Sequence, residues 1–346
     1  MRTTIKDVAK RAGVSAATVS LVLNKPNPSI SKETRENVMK AVKELQYRPN
    51  RLAASLASKK SNTIGVIVPD NSNLFLAEFS NCIETAISKH GYAMILGNAS
   101  NSATKTIKYL YDFSDRSVDG IILVQSIFEN PEHTATCIEA LTNLQIPTIL
   151  SDRFPITHSF ESVKTNDFLG GYLAIKHLLD MGHNQIGIIA GEMYFPNCIE
   201  RLEGCKKALL EAGIPFDQSL VYEGDFQMSS GAAALPYLLE KNVTAIFTFN
   251  DMIAYGVYKA LSNYNLKVPE DISIIGFDDI WVSDVICPPL TTIEYPLKEI
   301  AETVVDRLIS LIDGREANTQ HPIVFDPTLK IKGSTAFLYQ LERGNE

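Results

Sequence analysis

The side chains with the greatest chemical reach in this sequence stand just past short apolar runs. Asp70-Asn71-Ser72-Asn73 come after Thr63-Ile64-Gly65-Val66-Ile67-Val68, and Asp152-Arg153 come after the run ending at Leu150. Asn250-Asp251 follow Phe247-Thr248-Phe249, and Asp278-Asp279 follow Phe277. Arg201 opens a helix after Gly191, and Gly224-Asp225-Phe226 adds an aromatic ring. Carboxylates, amides and guanidiniums around a ring suit a polyhydroxylated ligand, whose hydroxyls need paired donors and acceptors while its C–H face stacks. Taken singly, each residue is more often a helix cap or turn than a ligand contact. Their shared place at strand ends is what points to a site. No G-x-G-x-x-G follows a strand, no phosphate loop is present, and no nucleophile sits in an elbow motif, so no catalytic machinery is visible.

Bringing those ends together requires sheets. Short β-branched runs recur at Thr63–Val68, Tyr92–Leu96, Gly120–Val124 and Pro147–Leu150, and amphipathic helical stretches separate them. A second series starts near Val163 and continues at Gln185–Ile189, Thr244–Phe249 and Ile272–Gly276. Strands and helices alternating at this spacing predict parallel sheets with helices on both faces, and there are enough units for two. Ligands in such sheets bind outside the carboxyl ends of the strands.

The first 61 residues follow a different pattern. They hold 13 Lys/Arg against 4 Asp/Glu, while the rest of the chain holds 19 against 36, so the net charge of −8 hides a basic head on an acidic body. That division suits a polyanion partner held at one end. Thr4-Ile5-Lys6-Asp7 reads as a capping box for a helix to about Ala12, which Gly13 ends. Ser15 caps a second helix, Ala16 to about Asn24, and Ser31 caps a third through Leu45. Two short helices about a Gly turn describe a helix-turn-helix, whose second helix enters the DNA major groove. Ala16, Ala17 and Leu21 share its outward face and offer apolar contacts suited to thymine methyls. Thr18, Ser20 and Asn24 are placed for phosphates, with Lys6, Lys25 and Arg35 adding charge. Arg51–Lys60 is rich in Ala and Leu; alone, such a short helix is marginal in water.

The totals exclude several classes. With 346 residues, 45% hydrophobic and 21% charged, the chain has the composition of a globular protein of two or three domains. No apolar run reaches the roughly 20 residues a bilayer needs, and the N-terminus lacks a signal-peptide layout. The five cysteines form no C-x-x-C pair and the six histidines no H-E-x-x-H, so neither a metal site nor a disulfide framework is expected. A cytoplasmic setting follows from these readings.

The head resembles the DNA-binding domain of the lactose/galactose-repressor (LacI–GalR) family in Thr4-Ile5-Lys6-Asp7-Val8-Ala9-Lys10-Arg11-Ala12-Gly13-Val14-Ser15, Thr18-Val19-Ser20, Leu23-Asn24 and Tyr47-Arg48-Pro49-Asn50. The body continues the likeness through Arg201-Leu202-Glu203-Gly204, Asn250-Asp251-Met252-Ile253-Ala254, Gly276-Phe277-Asp278-Asp279 and Pro289-Leu290-Thr291-Thr292-Ile293. The resemblance implies an all-α helix-turn-helix head (1–49), a hinge helix (50–61), and an α/β body like periplasmic binding proteins. The body divides into one doubly wound parallel-sheet subdomain at 62–160 with 291–325 and another at 161–290 with 326–346. It also implies that Ala16, Ala17 and Leu21 select the operator and that Leu56 wedges into the minor groove. Thr4, Ser15, Asn50, Arg51 and Ala53 complete the DNA-facing set. Arg201, Phe226, Asn250 and Asp278 are implied to contact an effector, with Asn73, Phe75, Asp152, Arg153 and Tyr295 joining them. Asp152-Arg153 resembles the pair of ribose-binding relatives and tilts the effector toward a pentose or similar small sugar.

The function expected is a transcriptional regulator, a repressor, that binds a near-palindromic operator as a homodimer or tetramer and responds to a sugar-like effector, without cofactor, metal or membrane. Three rivals remain: a global catabolite regulator with a phosphorylated carrier protein as corepressor, a plain solute-binding protein, and an enzyme of doubly wound fold.

Overall fold

A computed structural model describes residues 3–24, 30–47, 60–125, 127–154, 159–316 and 321–338. The chain forms two compact units, Met1–Ser61 and Asn62–Glu346. In the first, helices α1 (Ile5–Ala12), α2 (Ala16–Asn24) and α3 (Lys32–Glu44) enclose a small core of Val8, Ala9, Val19, Val22, Val38 and Ala41. The capping box forms as the sequence predicts. The Thr4 backbone N–H and hydroxyl both donate to the Asp7 carboxylate, at 2.8 and 2.7 Å, and that backbone bond holds the Asp7 carboxyl below its ordinary pKa. Gly13 turns the chain at φ +69°, a left-handed conformation that a side chain disfavours. The Thr18 and Thr34 N–H groups donate to Ser15 and Ser31, each at 3.1 Å, starting α2 and α3.

The second unit holds two six-stranded sheets. The first runs in the order β11-β5-β4-β3-β1-β2, with β1 Thr63–Val68, β2 Ala93–Asn98, β3 Gly120–Gln125, β4 Thr148–Arg153, β5 Glu161–Thr165 and β11 Ile323–Phe325. The second runs β12-β10-β9-β8-β6-β7, with β6 Ile186–Ala190, β7 Val221–Glu223, β8 Ala245–Thr248, β9 Ser273–Asp278, β10 Thr291–Glu294 and β12 Thr328–Lys330. Only β12 pairs antiparallel among the described strands. Both faces are covered, which is why the strands read as unbroken apolar runs. Ile64, Val66 and Val68 pack with Phe79, Ile83 and Ile87 of helix Leu74–Lys89. Ile67 points the other way, to Leu110, Phe113 and Leu141. Side chains buried as fully as Phe79 each stabilise the fold by about 1.5–3 kcal/mol.

Two strands lie across the subdomain boundaries expected from sequence. β5 does not start the second sheet; it completes the first, pairing with β4 at Ile149–Glu161. β10 belongs to the second sheet, beside β9. The chain therefore crosses between sheets just after Thr165, Glu294 and Phe325. The first and third crossings touch: the Asn166 N–H donates to the Phe325 carbonyl at 2.8 Å, and its side-chain amide to Asp326 at 2.9 Å.

Helices Asp167–Asp180 and Pro196–Glu211 approach until their backbones touch. A Cβ on Gly171 would lie 2.0 Å from the Arg201 carbonyl oxygen, and one on Gly204 1.9 Å from that of Phe168. Backbone atoms cannot yield as a side chain can. Gly171→Ala is therefore expected to cost about 2 kcal/mol or more by overpacking, read as a lower urea midpoint at unchanged slope.

Behind the second sheet, buried Asp251 ties three elements together. It accepts from Ser283 and Thr292 hydroxyls, each at 2.6 Å, and from the Ile280 N–H at 3.1 Å. Burial still outweighs these bonds and pushes its carboxyl up to about 7. Between the ordinary carboxylate range and 7 the folded chain thus keeps a proton that the unfolded chain has released. Its contribution to stability is full below pH 4 and is lost as pH rises through 7. Urea unfolding of the wild type should show lower stability at pH 8 than at pH 5, and Asp251→Asn should flatten that slope. An unchanged slope in the variant would place the titration elsewhere.

Candidate functional site

On the head, Ala17 and Leu21 stand exposed one turn apart on α2, Leu21 with 46% of its surface in solvent. A leucine so placed presents an apolar surface to solvent. Ala16 differs from expectation: it is half-buried against the helical core, because its side of α2 faces α1 and α3. Thr4 and Lys6 are exposed at the start of α1. Ser15 is held by its cap and by a 2.9 Å hydroxyl contact with Thr18, and Ser20 is half-buried. Arg35 reaches back to the Val22 carbonyl at 3.4 Å. Asn24 ends α2. Asn50, Arg51, Ala53 and Leu56, with the rest of 48–59, lie outside the described residues.

In the body, eight residues named from the sequence meet on one small cavity: Asn73, Phe75, Asp152, Arg153, Arg201, Phe226, Asn250 and Asp278. The strand-end rule explains the convergence, since all but Arg201 sit at or just past strand ends. Arg201 lies within helix Pro196–Glu211 and not at its start; Pro196 and Asn197 occupy that place. Asn197, which the sequence reading missed, also lines the cavity. It lies just beyond β6, so the same rule applied there would have found it.

Each arginine is fixed by several partners. Arg201 Nε donates to Asp167 Oδ1 at 2.8 Å, Nη1 donates to the Phe249 carbonyl, and the guanidinium lies 3.5 Å over the Phe277 ring. Burial alone would lower the Arg201 pKa, but the Asp167 and Asp278 carboxylates more than offset this and raise it. Asp167, a second missed residue, is the first position of helix Asp167–Asp180. Burial lifts its carboxyl to about 6 against the pull of Arg201. The Arg153 guanidinium leaves the first sheet and enters between two rings beside the second, 4.5 Å from Phe195 and 4.3 Å from Phe226. Its Nη1 reaches Gln125 at 3.4 Å and its Nε lies 3.5 Å from Asp152, while Nε makes no hydrogen bond.

Asp152 and Asp278 hold left-handed backbone, at φ 63° and 125°. Such strain at a non-glycine residue collects at functional positions. Burial also raises both carboxyls above their ordinary range. Asn250 does two jobs: its oxygen caps helix Asp251–Leu261 through the Ile253 N–H at 2.8 Å, and its amide donates to the Phe226 carbonyl at 3.1 Å. Asn73 caps helix Leu74–Lys89. Cap and wall are thus one residue in each case. Tyr295 stands a layer back, edge-on to Phe75 at 4.9 Å, and supports the wall instead of forming it. Among the described residues no group of three or more His, Cys, Asp or Glu could hold a metal ion, and no helix is long and apolar enough to cross a membrane. The cavity offers fixed donors, acceptors and ring faces for a small polar molecule.

Residues 4–50 match the family described as bacterial regulatory proteins, lacI family, and residues 175–335 match the periplasmic binding protein-like domain. The HTH-type transcriptional regulator DegA of Bacillus subtilis (strain 168) is 36% identical over 337 residues, 97% of this chain and 99% of the relative. Among solved structures, the lac repressor dimer bound to operator and the anti-inducer ONPF aligns with a TM-score of 0.84 at 28% identity, covering 97% of this chain and all of that one. A ribose-bound LacI-family regulator from Enterococcus faecium aligns over 80% of this chain and 99% of its own, with a TM-score of 0.71 and 34% identity. With its helix-turn-helix head and two-sheet body, the chain belongs to the LacI family of bacterial regulatory proteins and is a DNA-binding transcriptional regulator.

Proposed function

We propose that this regulator represses transcription as a homodimer on a near-palindromic operator, and that a small sugar-like effector in the body cavity sets its operator affinity. The cavity carries the reading: two guanidiniums, two carboxylates, three amides and two rings converge on one small space between the sheets. The relatives support it, since one solved structure holds operator and anti-inducer and another holds ribose. A dimer is favoured because one helix-turn-helix spans too few base pairs for useful specificity. The protein binds its effector without converting it, and operator binding places its work in the cytoplasm. An effector acts only through different affinities for two conformations of the body, typically about 1–3 kcal/mol of coupling, or roughly 5–150-fold.

Gel shifts on the operator, with and without saturating pentoses and hexoses, test the proposal. One sugar should change operator affinity by at least about fivefold. Phe226→Ala, which removes a ring face from the cavity, should weaken binding of that sugar by about tenfold or more, near 1.4 kcal/mol. Equal operator affinity across the sugar panel would remove the effector reading. Leu56, assigned the minor-groove wedge, gives a separate check: Leu56→Ala should lose at least about tenfold in operator affinity while sugar affinity stays unchanged. Full operator binding by that variant would reduce the stretch to a linker.

A further inference from the structure

The protein's own side chains already fill the small cavity. They leave about 10 Å³ of free space, room for about one water molecule and far too little for a sugar ring. An effector enters only if part of the wall moves. Arg153 is the less firmly bonded of the two guanidiniums there. Its Nη1 meets Gln125 at a long 3.4 Å, and its Nε, 3.5 Å from Asp152, makes no hydrogen bond. What holds it besides is a pair of rings. Phe195 and Phe226 are tilted 46° to each other with centres 6.3 Å apart, and the guanidinium carbon sits in their notch, 4.5 and 4.3 Å from the two centres.

The backbone that places Arg153 is irregular. The pairing of β3 with β4 slips between Leu123 and Gln125, and Asp152 is left-handed, an irregularity of the kind that re-aims a side chain at a strand end. Arg153 belongs to the first sheet, whereas Phe195 follows β6 and Phe226 follows β7 of the second. Space can be made by swinging the side chain out or by parting the two halves, and either movement breaks the contact. Glu192 and Asp225 line the mouth beside Arg153 and offer carboxylates to a guanidinium that swings out. The two rings differ in one respect: Phe226 lines the cavity and Phe195 does not. Phe226 can serve a ligand as well as the guanidinium. Phe195 serves the guanidinium alone.

We propose that Arg153 is a built-in latch that competes with the effector: its guanidinium holds the ring notch and joins the two halves until a sugar ring displaces it. The proposal rests on the effector reading above and adds its regulation. The free energy of the guanidinium–ring contact is subtracted from effector binding, so a weaker latch gives a tighter site. Breaking a contact that spans the halves is also how entry of the sugar acts on the body as a whole.

The test uses Phe195→Leu and Phe195→Met in the full chain, two replacements that remove the ring and keep an apolar side chain. Titration calorimetry with ribose, xylose, glucose and galactose should show both variants binding the wild type's sugar at least about threefold tighter, the scale of one cation–ring contact. Simple damage to the site weakens binding instead. Equal or weaker binding by the variants overturns the latch and leaves the effector reading intact; a sugar bound by the variants and not by the wild type supports both. If none of the four sugars binds any of the proteins, gel shifts on the operator decide. A change of about threefold or more in the same direction in both variants keeps the latch while the sugar reading falls, and a smaller change removes the latch as well.

Discussion

The body depends on a cation kept out of water. Taking Arg201 from solvent costs several kcal/mol, and the fold meets that cost with Asp167, the Phe249 carbonyl and the face of Phe277. These partners come from three places in the chain, so none can shift alone. The backbone contact at Gly171 serves the same end: only a residue without a side chain lets the two helices close far enough for Asp167 to reach the guanidinium. Close helix packing and the position of a cavity-lining charge are therefore one constraint.

That constraint spreads to the neighbouring acids. Asp152, Asp167 and Asp278 all lie out of water near two guanidiniums, and burial moves each carboxyl upward. Arg153 is held differently, by two ring faces, Gln125 and a 3.5 Å ion pair with Asp152, and its Nε makes no hydrogen bond. Of the two cations, Arg201 is the more fully bonded.

Much of this was legible in the sequence. Unbroken β-branched runs marked the central strands to within one to three residues, and capping side chains marked the head helices. Which sheet a run joins was not legible, because membership is decided by partners far along the chain. β5 reads as the start of a new series and is instead the neighbour of β4. β11 and β12, three residues each, are too short to carry a pattern. The strand-end rule found most of the cavity wall. It missed Asp167, whose link to Arg201 exists only once two helices have packed, and it gave no way to see that Tyr295 stands behind Phe75. Ala16 was read as outward because helical spacing tells which residues share a face, but not how far the next helix overlaps it.

The three crossings between the sheets run through adjacent residues. Asn166 of the first is hydrogen-bonded to Phe325 and Asp326 of the third, and Thr165 and Tyr295 face each other across the first and second. Three short tethers fastened side by side resist sliding and separation of the two halves. They resist rotation far less, so the body is left with one soft degree of freedom. Asp167 sits on the first tether and grips Arg201 on the cavity wall. The cavity wall is thereby fastened directly to one of the three crossings, by this ion pair and by the backbone contact of the same two helices.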